Sequence, residues 1–256
     1  MKPFVTIDCF PESARLYGPE YAVVAIDVIR ATTVAITAVA TGRRCLPRPS
    51  LESAMATARL LNNPLLAGEL AGDMPAGFEM NNSPAELAMR FDTERPLVLL
   101  SSSGTRLLHE SRNAAAVYLA CFRNYGSLAT HLAARHQRIA VIGAGSRGDF
   151  REEDQMCCAW IAELLIAHGY EAANATTAEL VQRWSGAPAA ACVISKSVDY
   201  LRSSGQLADL DFILSHINDL RDVCILVDGE VQLISQCEHL VGDAEVTTPA
   251  AEAKVA

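Results

Sequence analysis

Five short apolar runs, each released into a turn of small, polar or charged residues, dominate the first two thirds of this 256-residue chain, with amphipathic stretches between them. That alternation is the pattern of strands crossing to helices and back, and it restricts the chain to an α/β architecture. The runs are Ala22 to Ile26, Leu65 to Ala67, Leu97 to Leu100, Val117 to Ala120 and Ile139 to Ile142. Helices are predicted over 31–41, 51–61, 83–91, 127–136 and 153–168, with Gly42 and Gly169 as stops. Thr32, Thr33, Val34, Ile36, Thr37 and Val39 would suit a strand as well as the first of these helices. Ser83-Pro84-Ala85-Glu86 reads as a helix start, with Ser as cap, Pro at the first helical position and Glu reaching back to the cap amide.

From Thr176 the chain reads as mainly helical (176–184, 189–203, 207–217) until Asp228-Gly229, which stands between apolar runs and predicts a hairpin. Residues 1–241 read as a single domain, and 242–256, without a clear period, as a disordered tail. Half of the residues are hydrophobic, enough for a sizeable core, and the net charge of −9 argues against a general affinity for nucleic acid or an anionic membrane. The N-terminus has no continuous apolar segment, and no run approaches the ~20 apolar residues of a membrane span, so a soluble, cytoplasmic protein is expected. The eight cysteines form no Cys-x-x-Cys pair and are read as reduced core residues. Self-association is left open.

The turn from Gly143 to Asp154 reads GAGSRGDFREED and leads into a segment, Gln155 to His168, with apolar residues at helical spacing. Acids at a helix start gain about 0.3–1 kcal/mol each from the helix dipole, which accounts for one or two of them. Asp149 beside Glu152, Glu153 and Asp154 is better explained by a divalent cation, and Mg²⁺ is commonly held by few carboxylates with water and phosphate oxygens. The same turn spells Gly143-x-Gly145-x-x-Gly148, a dinucleotide fingerprint that would make the chain an NAD(P)-dependent oxidoreductase. Acids in the first helical turn would face the pyrophosphate, however, and HGYEAANATT makes a poor second strand.

Mainly parallel strands would gather the other polar turns at the same sheet edge. Asp27 and Arg30 close the first run in AVVAIDVIRATT, Glu69 follows the second in GELAGDMPAGFEMNNSP, and Ser101 to Arg106 follow the third as SSSGTR. Asp27 interrupts an apolar run where an unpaired charge is costly to bury, so it asks for a metal or a partner, and an ion pair with Arg30 would serve equally. Glu69 between glycines is either a ligand or a solvated loop acid. The amides and hydroxyls of Ser101 to Thr105, with Arg106, suit an anion nest, although a plain serine-rich turn reads the same way and the lysine of a P-loop is missing. Asn81 and Asn82 either ligate or shape the turn before Ser83.

Taken together, AVVAIDVIRATT, GELAGDMPAGFEMNNSP, SSSGTR and GAGSRGDFREEDQMCCA resemble, in order and spacing, the Mg²⁺-dependent 2-phosphosulfolactate phosphatase family, over about residues 20 to 165. The family's Asp-x-x-Arg-Ala-Thr falls on Asp27, Arg30, Ala31 and Thr32, its Gly-Glu on Gly68 and Glu69, and its Asn-Ser-Pro on Asn82, Ser83 and Pro84. Its Gly-Thr-Arg falls on Gly104, Thr105 and Arg106, and its acidic pair followed by Cys on Glu153, Asp154 and Cys157. Ser103 stands where the family often has Asn, and Ala159 where it has a small glycine.

The resemblance implies a three-layer α/β/α fold with a mixed, largely parallel sheet, unlike the haloacid dehalogenase phosphatases, whose Asp-x-Asp-x-Thr motif this chain lacks. It implies hydrolysis of a small anionic phosphorylated substrate, (2R)-2-phospho-3-sulfolactate, to (2R)-3-sulfolactate and phosphate, within coenzyme M biosynthesis. On this reading Asp27, Glu69, Glu153 and Asp154 hold Mg²⁺ directly or through water. Asp27, Arg30 and Arg147 form the catalytic set, the two arginines clamping phosphate and the distal anion, and Asp27 is also placed to attack phosphorus. Asn82, Ser83, Ser103, Gly104, Thr105, Arg106 and Gly145 line the substrate site. A non-catalytic protein binding an anionic metabolite is the remaining class beside the oxidoreductase.

Overall fold

The computed structural model describes residues 2–234. In chain order the strands are β1 (Phe4–Cys9), β2 (Ala22–Ile26), β3 (Cys45–Arg48), β4 (Leu65–Gly68), β5 (Leu97–Leu100), β6 (Ala116–Ala120), β7 (Arg138–Gly143), β8 (Glu171–Ala172), β9 (Cys224–Val227) and β10 (Glu230–Leu233). The helices are α1 (Ala31–Ala40), α2 (Leu51–Leu60), α3 (Pro84–Ala88), α4 (Gly104–Glu110), α5 (Tyr125–Ala133), α6 (Glu152–Ala167), α7 (Ala175–Trp184), α8 (Lys196–Ser203) and α9 (Leu207–Ser215).

All five predicted strands and the Asp228-Gly229 hairpin are present, whereas β1, β3 and β8 are additions. The expected helix over 189–203 divides into a 3₁₀ turn, Ala189–Ile194, and α8, because Ser195 caps α8 by accepting a hydrogen bond from the Val198 amide at 3.3 Å. Ser83 caps α3 as predicted, through the Glu86 amide, but α3 ends at Ala88, short of the expected residue 91. The reach of Glu86 back to the cap is replaced by a hydrogen bond from the Ser83 amide to the Asn81 carbonyl. The segment 242–256 and Cys237 lie outside the described residues. The other seven cysteines form no disulfide, and no helix among the described residues is long and apolar enough to cross a membrane.

The strands form one ten-stranded sheet in the order β4-β5-β3-β10-β9-β6-β2-β7-β1-β8. Alternate residues of the central strands face opposite layers. Val24, Ile26, Tyr118, Ile139 and Val141 pack with α5 and α6 residues such as Leu128 and Ile161. Val23, Ala25, Leu119, Ala140 and Ile142 pack with Val34, Ala35 and Ile36 of α1. The result is a three-layer α/β/α arrangement with a mixed, mostly parallel sheet.

The expectation that one sheet edge collects every polar turn needs correcting. Two parallel blocks, β4-β5-β3 and β6-β2-β7-β1-β8, are separated by the antiparallel hairpin β9-β10, so they run in opposite senses. Strand twist of about 20–25° per step, accumulated over the steps from β5 to β2, turns the blocks by roughly 100°, enough for their carboxyl ends to meet at a corner. Helix α1 fills that corner, packing against β3, β5, β6 and β10. Its residues Ala31 to Val39 are all buried, which explains why its β-branched composition is tolerated in a helix: packing on every side outweighs propensity.

Candidate active site

The turn leaving β2 is held by its own side chains. Thr32 Oγ1 accepts from the Asp27 amide at 3.0 Å and donates to the Asp27 carbonyl at 2.8 Å, while Thr33 Oγ1 donates to the Val28 carbonyl at 2.8 Å. The Asp27 carboxylate is thereby presented into a cleft of about 670 Å³, although the residue is only 6% exposed. Arg30 also lines the cleft. Its Nη1 donates to Asp209 and, at 2.5 Å, to Gln206 Oε1, and its Nη2 donates to Asn81 Oδ1 at 3.3 Å. The buried partner of Arg30 is therefore Asp209 of α9 rather than Asp27.

The turns after β4 and β5 are stitched together. Glu69 Oε1 accepts from the Ser102 amide at 2.7 Å, and Oε2 accepts from the Gly72 amide at 2.8 Å and the Ser102 hydroxyl at 3.0 Å. Ser101 donates its amide to Thr105 Oγ1, and the Gly104 amide donates to Ser101 Oγ. The amides expected to form an anion nest are thus largely committed within the turn. Gly104 allows a close approach to Asp27: a Cβ there would lie 2.3 Å from Asp27 Oδ2.

The turn between β7 and α6 wraps its acids inward. Asp154 accepts from the Val28 amide at 2.9 Å and from the Gly145 amide at 3.1 Å. With Val28 adjacent in sequence to Asp27, that bond places an Asp154 oxygen within about 5.5 Å of the Asp27 Cα. Gly145, at φ +58°, has no room for a side chain, since a Cβ would meet the Asp149 carbonyl and the Phe10 ring at 2.8 Å. Its amide, which a dinucleotide site would turn to pyrophosphate, is already spent on Asp154. Arg147 crosses the mouth of the cleft and donates to the Ala71 carbonyl at 3.1 Å. Opposite it, Tyr200 of α8 donates to the Gly72 carbonyl at 2.5 Å.

The electrostatics of this corner are those of buried anions whose burial and mutual repulsion outweigh the positive charge nearby. Burial pushes the Asp27 carboxyl up to about 7, with Glu69 and Glu153 pushing the same way against an amide of Ala31 and the charge of Arg30. Burial likewise raises Asp154 well above the carboxylate range, helped by Glu153 and Asp27 and opposed by the Val28 and Gly145 amides. Burial also raises Glu153, against hydrogen bonds from Ser197 and Ser195.

Among the described residues no three His, Cys, Asp or Glu side chains enclose a point where a metal could sit. A cage of four carboxylates is therefore not what this geometry offers. Glu69 lines the cleft with both oxygens engaged by the turn, and Glu153 lies behind the wall, its Oε2 buried without a partner. Asp27 and Asp154 fit the other mode of holding Mg²⁺, in which one or two carboxylates act with water and substrate oxygens. Asn82, 2% exposed with Oδ1 unpartnered, adds a further oxygen at the cleft wall.

The cleft brings together Asp27, Arg30, Glu69, Asn82, Ser103, Gly145, Arg147 and Asp154 of the predicted residues. It leaves out Ser83, whose hydroxyl donates to Asp209 at 2.5 Å, and Thr105, whose hydroxyl bridges the Ser101 amide and carbonyl. Arg106 points to the other side of α4 and pairs with Glu12 at 2.6 Å. Residues not anticipated complete the cleft: Arg151, Lys196, Ser197 and Tyr200. Lys196 is one of only three lysines in a chain that otherwise uses arginine, which was a usable signal, whereas the helical pattern of 196–203 carried none.

Comparison with known proteins places the chain in a family. The 2-phosphosulpholactate phosphatase family model matches residues 9–229. A probable 2-phosphosulfolactate phosphatase of Deinococcus radiodurans is 32% identical over 229 residues, covering 88% of this chain and 93% of that protein. One of Symbiobacterium thermophilum is 30% identical, covering 82% and 93%. The match to one of Pseudothermotoga lettingae, 34% identical, is shorter, covering 54% of this chain and 59% of that protein. The matched span runs from the end of β1 to the β9-β10 hairpin and so contains every cleft residue described above, which makes this chain a member of the 2-phosphosulfolactate phosphatase family of phosphoric monoester hydrolases.

Proposed function

We propose that the chain is an Mg²⁺-dependent hydrolase of (2R)-2-phospho-3-sulfolactate or a closely related phosphorylated three-carbon acid, with water as the final acceptor. The pathway that goes with that substrate, coenzyme M biosynthesis, belongs to the same proposal. The observation that carries it is the pairing of buried Asp27 and Asp154 with Arg30, Arg147, Arg151 and Lys196 around one cleft. Buried carboxylates that repel one another favour a bound cation, and the arginines and lysine around them favour an anionic ligand.

Asp27 and Asp154 would hold the Mg²⁺, which when bound would neutralise charge on the phosphoryl oxygens. The chain's own residues do the positioning. Arg147 keeps donors beyond the one given to Ala71 and can take a phosphate or carboxylate oxygen at the cleft mouth. Arg30 is fixed in orientation by Asp209 and Gln206 and presents its remaining N–H groups from the floor. Thr32 and Thr33 hold the Asp27 turn rigid, so its carboxylate is preorganised before substrate arrives.

A screen of small phosphorylated acids for phosphate release tests this reading: release from phosphosulfolactate with Mg²⁺ and none with a chelator is expected. Tight binding without release would instead mark a non-catalytic binding protein, and saturable binding of NAD(H) or NADP(H) an oxidoreductase. Gly104→Ala gives a local check, because the added methyl must displace the Asp27 carboxylate. Turnover is expected to fall about tenfold or more, and wild-type rates in that variant would show that Asp27 need not stand where it does.

A further inference from the structure

We infer that Arg151 and Lys196 form the receptor for the substrate's distal sulfonate, and that Asp149 is a resident counter-anion which the sulfonate displaces. The inference rests on the hydrolase reading above and adds the residues that would select among phosphorylated acids.

Arg151 is a guanidinium only 8% exposed, yet its Nε is buried with no partner at all. Its ion pair is with Asp149, two residues back on the same turn, at 3.3 Å. Burying a charged group while leaving a donor unpaired is costly, but Arg43, held by Asp92 and the Arg95 carbonyl, does the same, so it is the convergence with Lys196 that carries the argument. Lys196 reaches in from α8 to the same oxygen, Asp149 Oδ2, at 2.6 Å. Two cations from separate elements thus converge on one carboxylate oxygen at the cleft wall, with Ser197 beside them. That carboxylate marks a place where an anion is held, and it fills the place poorly: Arg151 keeps an unused N–H, and Asp149 is itself half exposed. A sulfonate has three oxygens in tetrahedral array, so it can engage both cations at once where Asp149 now offers them a single oxygen. The carbons of a three-carbon acid separate its anionic groups by only a few bonds, so both anion sites must open on one cleft, as Asp27, Asp154, Arg151 and Lys196 do.

The test compares 2-phosphosulfolactate with 2-phospholactate, which lacks only the sulfonate, as the ratio of their kcat/KM values. In Lys196→Gln, whose side chain is 71% exposed so that folding is not at stake, the ratio should fall about tenfold or more. Arg151→Lys should also lower it. Asp149→Asn, which removes the competing charge and keeps the backbone bonds of the turn, should raise affinity for 3-sulfolactate, whereas a structural role for Asp149 predicts a loss. An unchanged ratio in Lys196→Gln, or equal losses on both substrates, would overturn the inference. If the wild type releases phosphate from neither compound, the hydrolase reading fails, and calorimetry still decides the subsite. Preference for 3-sulfolactate over lactate, lost in Lys196→Gln, supports it, and no preference in the wild type overturns it.

Discussion

Asp27→Asn is expected to lower Mg²⁺-dependent turnover by at least about a thousandfold while raising the melting temperature of the metal-free protein. The first half follows from its place: if Asp27 holds the cation that neutralises the phosphoryl group, its charge cannot be replaced by an amide. The second half follows from its cost. A carboxyl pushed from 3.8 to about 7 by burial and by Glu69 and Glu153 weakens the folded state at pH 8 by on the order of 4 kcal/mol. Asparagine keeps the shape and removes the charge. With about 2–4 °C per kcal/mol for a chain of this size, a gain of about 5 °C or more at pH 8 in chelator is expected. Retention of a tenth of wild-type activity, or a lower melting temperature in chelator, would contradict the assignment.

The second large effect concerns metal and pH together. The folded-state pKa values of Asp27, Asp154 and Glu153 all lie above their ordinary ones. The stability these acids allow is therefore fully present below about pH 4 and is lost as pH rises through the shifted values, near 7 for Asp27. In chelator, the melting temperature should fall between pH 5 and 8 through this linkage. If these acids hold Mg²⁺, it would bind their ionised form and offset part of the loss, by roughly 2.7 kcal/mol at a hundredfold excess over its Kd. The gap between Mg²⁺ and chelator should widen with pH to about 5 °C or more at pH 8. Scanning calorimetry across this range would refute the metal assignment if the two curves coincide, or if the gap narrows as pH rises.

Much of this was legible in the residues, for identifiable reasons. Continuous apolar runs such as Ala22 to Ile26 bury both faces in the sheet, and they announce themselves. β3 stayed hidden because Pro47 sits inside it, a residue that normally argues against an inner strand. Asp27 and Asp154 were readable because a charge in an apolar run and an acid cluster at a helix start each demand an explanation. Arg106 and Ser83 were read as site residues because they lie in the right motifs, but position in a motif does not fix where a side chain points. Arg106 turned to Glu12, and Ser83 to its own helix cap and Asp209. The α8 wall was hardly readable: the rarity of lysine singled out Lys196, but it and Tyr200 become cleft residues only when α8 packs across a turn more than a hundred positions earlier.

The strand order has a consequence for biosynthesis. β9 and β10, the last two strands among the described residues, take the middle of the sheet, between blocks formed from residues made long before. Until they emerge, β3 and β6 each present a bare edge of unpaired amides and carbonyls, open to pairing with another nascent chain. A chain stopped just before Cys224 would keep only α1 and α4 to bridge its two half-sheets, with no strand pairing between them.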